Sequence, residues 1–203
     1  MPKSNAQDRG DLSAVARGHA VRTRLLTAAA DLIGEIGWNA VSTRNLAERA
    51  GVGPGLVHYH FDSLQALLRQ AALAQMRHVL EEVNAAVGES GDLAGSLEAM
   101  LSQLDDYTGA DPSSLLVIEA YLAATRDPEL HTQMAELMLG WRTAVSEALS
   151  AAGHPHPEAA AALLLAALDG LFLQKGLDPD LSHTQVAPLL RQLIQPETTG
   201  GNR

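Results

Sequence analysis

The chain has 203 residues, of which 46% are hydrophobic and only 3% aromatic, and it contains no cysteine. That length buries a core in one domain or in a small domain joined to a larger one, and the missing thiols exclude disulfides, cysteine nucleophiles and Cys-ligated zinc, which fits the reducing cytoplasm. The formal net charge of -10 is unevenly spread: residues 1–62 hold seven Lys/Arg against six Asp/Glu, residues 63–203 seven against eighteen, so the acidic total does not exclude an anionic partner for the N-terminal part.

Ala and Leu dominate while strand-forming aromatic residues are scarce, which predicts an all-α fold. Residues 1–20 carry Lys3, Asp8, Arg9, Asp11 and Arg17 with no apolar stretch of signal-peptide length, and read as a flexible N-terminal arm. Over residues 21–36, Val21, Leu25, Ala28, Leu32 and Ile36 recur at helical spacing, with Gly37 placed for a left-handed cap. Ser42 is placed to cap a short helix over 43–50 that Gly51 ends, and Gly53 with Pro54 restarts the chain into a third helix closing near His60. Asp62 and Gln65 have capping-box spacing, and a long fourth helix over 63–87 then connects two domains.

Turn-rich breaks at 88–92, 109–112, 126–128, 153–157 and 178–182 separate further helices over 93–108, 113–125, 129–152, 158–177 and 183–195, giving nine in all. Residues 196–203 form a polar, flexible tail. Charge interrupts every apolar run short of the ~20 residues of a membrane span, so no membrane partner is expected. The helix over 158–177 is apolar around most of its circumference, and the last helix is rich in Val186, Leu189, Leu190, Leu193 and Ile194, so both need cover.

Two short helices joined by a glycine turn, with a longer helix before them, make a helix-turn-helix unit over residues 21–62, followed by a larger helical domain over 63–195. Leu32, Ile36, Trp38 and Val41 are expected to pack with Leu46, Ala47, Ala50 and Val52, and then with Val57 and Phe61. Pro54, Gly55, Leu56, His58, Tyr59 and His60 then face outward, an apolar and aromatic surface with no acid in it. The run Ser42-Thr43-Arg44-Asn45-Leu46-Ala47-Glu48-Arg49-Ala50-Gly51-Val52, continued by Gly53-Pro54-Gly55-Leu56-Val57-His58-Tyr59-His60-Phe61, resembles the signature of TetR-family transcription regulators. With the first helix and Gly37-Trp38, the resemblance covers roughly residues 21–68, about a quarter of the chain.

The resemblance implies a DNA-binding homodimer released by a small-molecule effector, typically a repressor on a palindromic operator. Ser42 and Thr43 would hold a phosphate at the N-terminus of the second helix, and Arg44 would add a charge. Tyr59 and His60 match backbone-contacting positions, while Gly53, Pro54, Gly55, Leu56 and His58 match groove-facing ones. Arg17, Arg22 and Arg24 are further phosphate or minor-groove candidates. The family often has Lys at the position of Leu64 and Tyr at that of His58, so one phosphate contact is missing and the target of His58 stays open. Glu48 and Arg49 read as a solvated face.

In the C-terminal part, the run from Leu168 to Gln174 with Leu177-Asp178-Pro179 resembles the penultimate helix of choline-responsive BetI-type regulators and carries no ligand assignment. The family implies pairing of the last two helices across a two-fold axis as a four-helix bundle. Effector-binding candidates are polar or aromatic residues on otherwise apolar helices: Tyr107, Glu119, Tyr121 and Trp141. Met76, Met100, Met134 and Met138 read as packing, and His154-Pro155-His156-Pro157 as a loop rather than a metal site. No metal, cofactor or catalytic constellation is expected, since no Ser-His-Asp arrangement, zinc-protease motif or phosphate-cradling loop is recognisable. The competing reading is a helical small-molecule-binding protein that has lost sequence-specific DNA binding.

Overall fold

The computed structural model describes residues 5–90, 93–106 and 111–195, and the regular structure among them is entirely helical. Nine α-helices follow one another: α1 (Asn5–Ile36), α2 (Thr43–Ala50), α3 (Pro54–His60), α4 (Leu64–Ser90), α5 (Leu93–Asp106), α6 (Pro112–Ala124), α7 (Pro128–Ala151), α8 (Pro157–Lys175) and α9 (His183–Ile194). A single 3-10 turn, Trp38–Ala40, lies between α1 and α2.

The helix starts are written in short-range chemistry. Asp111 accepts from the Ser114 N–H at 3.1 Å, and Asp127 from the N–H groups of Glu129 and Leu130, also at 3.1 Å. In both, proline follows as the first helical residue, where its missing N–H leaves no partner unserved. At α4 the cap is Ser63, whose Oγ accepts from the Ala66 N–H at 3.0 Å, not Asp62 as the Asp-Gln spacing suggested. Serine at this place reaches the free amide one turn on, which satisfies the same orphan donor. Within α9, Pro188 sits inside the helix, where it forgoes one backbone hydrogen bond.

Two departures concern α1. The chain is already helical from Asn5, sixteen residues before the start expected at Val21. Residues 5–20 thus extend α1, their four alanines and two arginines allowing a helix there. At its other end Gly37 has φ 85° but ψ 154°, so the chain leaves α1 in a positive-φ, extended turn rather than the expected left-handed cap. Ile36 consequently lies on the exposed side, and Ile33 takes the buried position.

Buried side chains form two groups. The first joins Leu25 and Ile33 of α1 to Leu46 of α2, Val57 of α3, Leu67 and Leu68 of α4, Leu116 of α6 and Leu130 of α7. The second gathers Leu97 and Leu101 of α5, Leu149 of α7, Leu164 and Leu168 of α8, and Leu190 and Ile194 of α9. The apolar packing therefore does not divide at residue 62: α5 joins the second group while α6, which follows it, joins the first, and along α7 the change falls between Met134 and Val145. Helix α6 comes so close to α1 that a Cβ on Gly34 would overlap the Pro112 backbone. Glycine is required there by space, not by dihedral angle.

Candidate DNA-binding surface

Helix α2 is fixed at both ends. The Ser42 Oγ accepts from the Asn45 N–H at 3.3 Å, and the Asn45 Oδ1 accepts from the Ser42 N–H at 2.8 Å. Asn45 also donates to the Ala40 carbonyl at 3.0 Å, tying the cap to the preceding turn. Gly51 closes the helix at φ 63° and ψ 39°, the left-handed conformation that glycine adopts without strain. The Ser42 hydroxyl serves α2 as an acceptor only, so its proton remains available to an outside oxygen. Beside it, Arg44 is exposed and makes no hydrogen bond or ion pair among the described residues. Thr43 is half-buried.

Helix α3 is held from below by Val57, which is 0% exposed, and by Phe61, whose N–H donates to the Val57 carbonyl at 3.0 Å. Fixing those two faces sets the others outward. Gly53, Pro54, Gly55 and His58 are exposed, Leu56 is 38% exposed and Tyr59 80%. The Tyr59 and His60 rings meet edge to face, with centroids 5.0 Å apart. His60 is half-buried, and a Cβ on Gly18 of α1 would stand 3.8 Å from its Cε1, so the extended α1 backs this ring. The ten residues expected at a DNA contact thus lie on the adjoining α2 and α3, and eight of them are exposed.

The arginines of α1 differ. Arg24 is exposed, whereas Arg22 turns inward to donate to Gln70 of α4 and places its guanidinium 4.8 Å from the Phe61 ring centroid. Leu64, standing where the resemblance puts lysine, packs half-buried against the first apolar group.

The effector candidates do not converge. Tyr107 lies outside the described residues. Glu119 accepts from the Trp38 backbone N–H at 2.8 Å, which puts it at the seam between α6 and the turn after α1. Tyr121 points its hydroxyl at the Asp169 Oδ2, 3.5 Å away on α8. Loss of hydration raises both of these groups above their ordinary pKa values; the neighbouring Asp169 charge adds to the rise at Tyr121, and the tyrosine's hydrogen bond opposes it at Asp169. Trp141 is half-buried and packs on the second apolar group. His154 and His156 stand in the loop between α7 and α8, where the His156 N–H donates to the His154 Nδ1 at 3.1 Å. Among the described residues no three His, Cys, Asp or Glu side chains are grouped as a metal site.

Comparison with known proteins places this architecture. The family model described as "Tetracyclin repressor-like, C-terminal domain" matches residues 89–196, and that of "Bacterial regulatory proteins, tetR family" matches residues 25–71. The chain belongs to the TetR family. It is a DNA-binding transcriptional regulator and not an enzyme.

An uncharacterised helix-turn-helix-type transcriptional regulator of Mycobacterium tuberculosis is 27% identical to this TetR-family chain, over 84% of the chain and 91% of the relative. The helix-turn-helix-type transcriptional repressor KstR2 of Rhodococcus jostii is 28% identical over 59% of the chain and 62% of its own length. Among solved structures, a transcriptional regulator from Rhodococcus sp. Rha1 is 30% identical and superposes with a TM-score of 0.68, covering 85% of the chain and 93% of that structure.

Three features of the TetR-family N-terminal region escape a reading of the sequence. The Trp38 indole N–H donates to the Gln65 Oε1 at 3.0 Å, linking the turn after α1 to α4. Arg49 forms a two-pronged ion pair with Glu35, at 2.9 and 2.5 Å, which fastens α2 to α1 at the solvent-exposed side. That hydrogen bond holds the Glu35 carboxyl below its ordinary range and raises Arg49. The third is the pairing of Glu119 with Trp38, across 81 positions of sequence. Helical periodicity carries no signal for any of these, because each joins separate elements.

Proposed function

We propose that the protein is a repressor that binds a near-palindromic operator as a homodimer paired through α8 and α9, and lets it go when a small molecule binds. The observation that carries the reading is the outer surface of α3, where Leu56 and Tyr59 stand exposed beside the unpaired Arg44 and the free hydroxyl proton of Ser42. Hydroxyl, guanidinium and helix N-terminus suit phosphate oxygens, and the apolar and glycine positions allow close approach to base edges.

Pairing through α8 and α9 is supported by apolar surface that a single copy leaves open. Leu163 is 58% exposed and Leu189 64%, and a groove of about 320 Å³ between the two helices is lined by Ala167, Gly170, Leu171 and Val186. Pro157–Lys175 is long and apolar enough by composition to cross a membrane, yet here it packs on α7 and α9. A second copy laid on its open side would cover it. The repressor role takes support from the Rhodococcus jostii relative, itself a repressor. Release requires only that the effector prefer the conformer whose two α3 helices are wrongly spaced.

Selection of bound sequences from a random DNA pool, with sedimentation of the complex, tests this reading. The expected result is a two-fold symmetric site with half-site centres roughly 34–36 Å apart and two chains per site. One chain per site, or no sequence enrichment, overturns it.

A further inference from the structure

A second cavity, of about 580 Å³, opens between α1, α4 and α7, well away from the groove of α8 and α9. Its floor is apolar: Leu73 is buried, and Leu26 and Leu137 pack half-buried against the first apolar group. Its rim is charged, with Arg22, the exposed Arg77 and a single carboxylate, the exposed Glu136, among the lining residues. Such a volume, apolar below and polar at the edge, suits a small organic ligand.

The charge of this rim stands out against its surroundings. Residues 63–203 carry seven Lys/Arg against eighteen Asp/Glu, and two arginines are matched there: Arg69 with Asp127 and Glu129, Arg191 with Glu98. Arg77 and Glu136, by contrast, make no hydrogen bond or ion pair among the described residues, and Arg22 has only the neutral Gln70 and the Phe61 ring. Arg126 and Arg142 also lack an ion pair, but they line neither this cavity nor the groove between α8 and α9. Two guanidiniums over an apolar floor suit an organic anion.

We propose that this cavity binds an organic anion with an apolar body, its carboxylate or phosphate held by Arg77 and Arg22 and its chain lying on Leu26, Leu73 and Leu137. The proposal adds an effector class to the ligand-released repressor described above and rests on that reading for its consequence. Arg22 is the link to DNA. Its guanidinium stacks on Phe61, the residue that ends α3, so an anion that draws Arg22 away removes the cover from the end of the DNA-facing helix.

Calorimetric titration of the full chain, without DNA, decides the site. Octanoate or octyl phosphate is expected to bind once per chain, whichever binds tighter showing the headgroup preferred, while inorganic phosphate and octyltrimethylammonium leave no heat. Arg77→Gln should weaken the anion about tenfold, the loss of one charge-assisted contact. Glu136→Gln should tighten it, because an opposing charge is gone. Equal binding of the cation, no binding of either anion at millimolar concentration, or the same direction of change in both variants overturns the site. Release of labelled operator by the bound anion, lost in Arg77→Gln, supports the consequence, and retention of the operator overturns it. A chain that bound no DNA would sink the repressor reading while the calorimetry still judged the cavity.

Discussion

The Trp38 backbone N–H donates to the Glu119 Oε2 across 2.8 Å, so the turn that leads into α2 hangs from the middle of α6. The Glu119 carboxylate also stands 3.5 Å from the place a Cβ would occupy on Gly37, the residue that turns the chain out of α1. A residue expected to line an effector pocket is therefore a strut between the region bearing α2 and α3 and the helices behind it. Glu119→Ala leaves a half-buried N–H without its acceptor and is expected to lower stability by about 1–3 kcal/mol, measured by urea denaturation. Glu119→Gln keeps an acceptor oxygen and should recover most of that loss. An equal loss in both variants would mean that the negative charge, and not the acceptor, matters.

Leu56 is 38% exposed next to the fully buried Val57, so part of its side chain is open to a partner. In the repressor reading it meets a thymine methyl. Leu56→Ala should then lower affinity for the selected operator by on the order of 1 kcal/mol and relax the preference at one thymine per half-site, with no change in salt dependence. Replacing that thymine by uracil should reproduce the loss in the unmodified protein and add little in the variant. Additive losses would show that the two groups do not touch.

In the repressor reading, Arg44, exposed beside the cap of α2, acts on phosphate and not on sequence. Arg44→Ala is expected to weaken binding to every DNA by a similar factor and to reduce the slope of log affinity against log salt by about 1 per half-site. Fluorescence anisotropy over a range of salt concentrations reads both quantities, and an unchanged slope would remove Arg44 from the contact.

Asp105 of α5 accepts from the His183 N–H at 2.8 Å and pairs with its Nδ1 at 2.5 Å, clasping the first residue of α9. The backbone hydrogen bond first, and the side-chain one after it, hold the Asp105 carboxyl below its ordinary value of 3.8. A depressed carboxylate adds stability that is full above its unfolded pKa and is lost as pH falls through the lower folded value. Asp105→Asn should therefore lower the urea midpoint at neutral pH, and the gap to the unmodified protein should narrow in strong acid. A gap that persists unchanged to pH 2 would assign the effect to lost packing.

The helices were legible because their punctuation is local. Asp111, Asp127, Ser42 and the prolines after two of them act within one turn, so their meaning does not depend on the rest of the fold. The outward set on α3 was legible for a related reason: once Val57 and Phe61 are buried, helical geometry fixes the others. The start of α1 was missed because residues 5–20 lack an apolar stripe, although their composition allows helix. The effector candidates rested on polarity alone, and polarity does not tell a pocket lining from a strut: Glu119 faces Trp38, Tyr121 faces Asp169, and the cavity between α1, α4 and α7 draws on residues too far apart in sequence to be read together.

The unbroken burial that runs from Leu46 through Leu67 to Leu116 and Leu130 also bears on how such a protein can be recombined. Grafting residues 1–62 onto another regulator would carry Leu25, Ile33 and Gly34 away from the α4, α6 and α7 surfaces shaped to them, with Gly34 fitted to one particular proline backbone. A hybrid cut there inherits a mismatched interior, and a single cut along α7 also divides a core, because α5 lies before it in the chain while Leu97 and Leu101 pack with Leu149, Leu164 and Leu190 after it. For a gene duplicating and shuffling its parts, no single cut yields a transplantable piece, and in the repressor reading a new DNA specificity is reached more readily by altering the surface of α3 than by exchanging the unit that bears it.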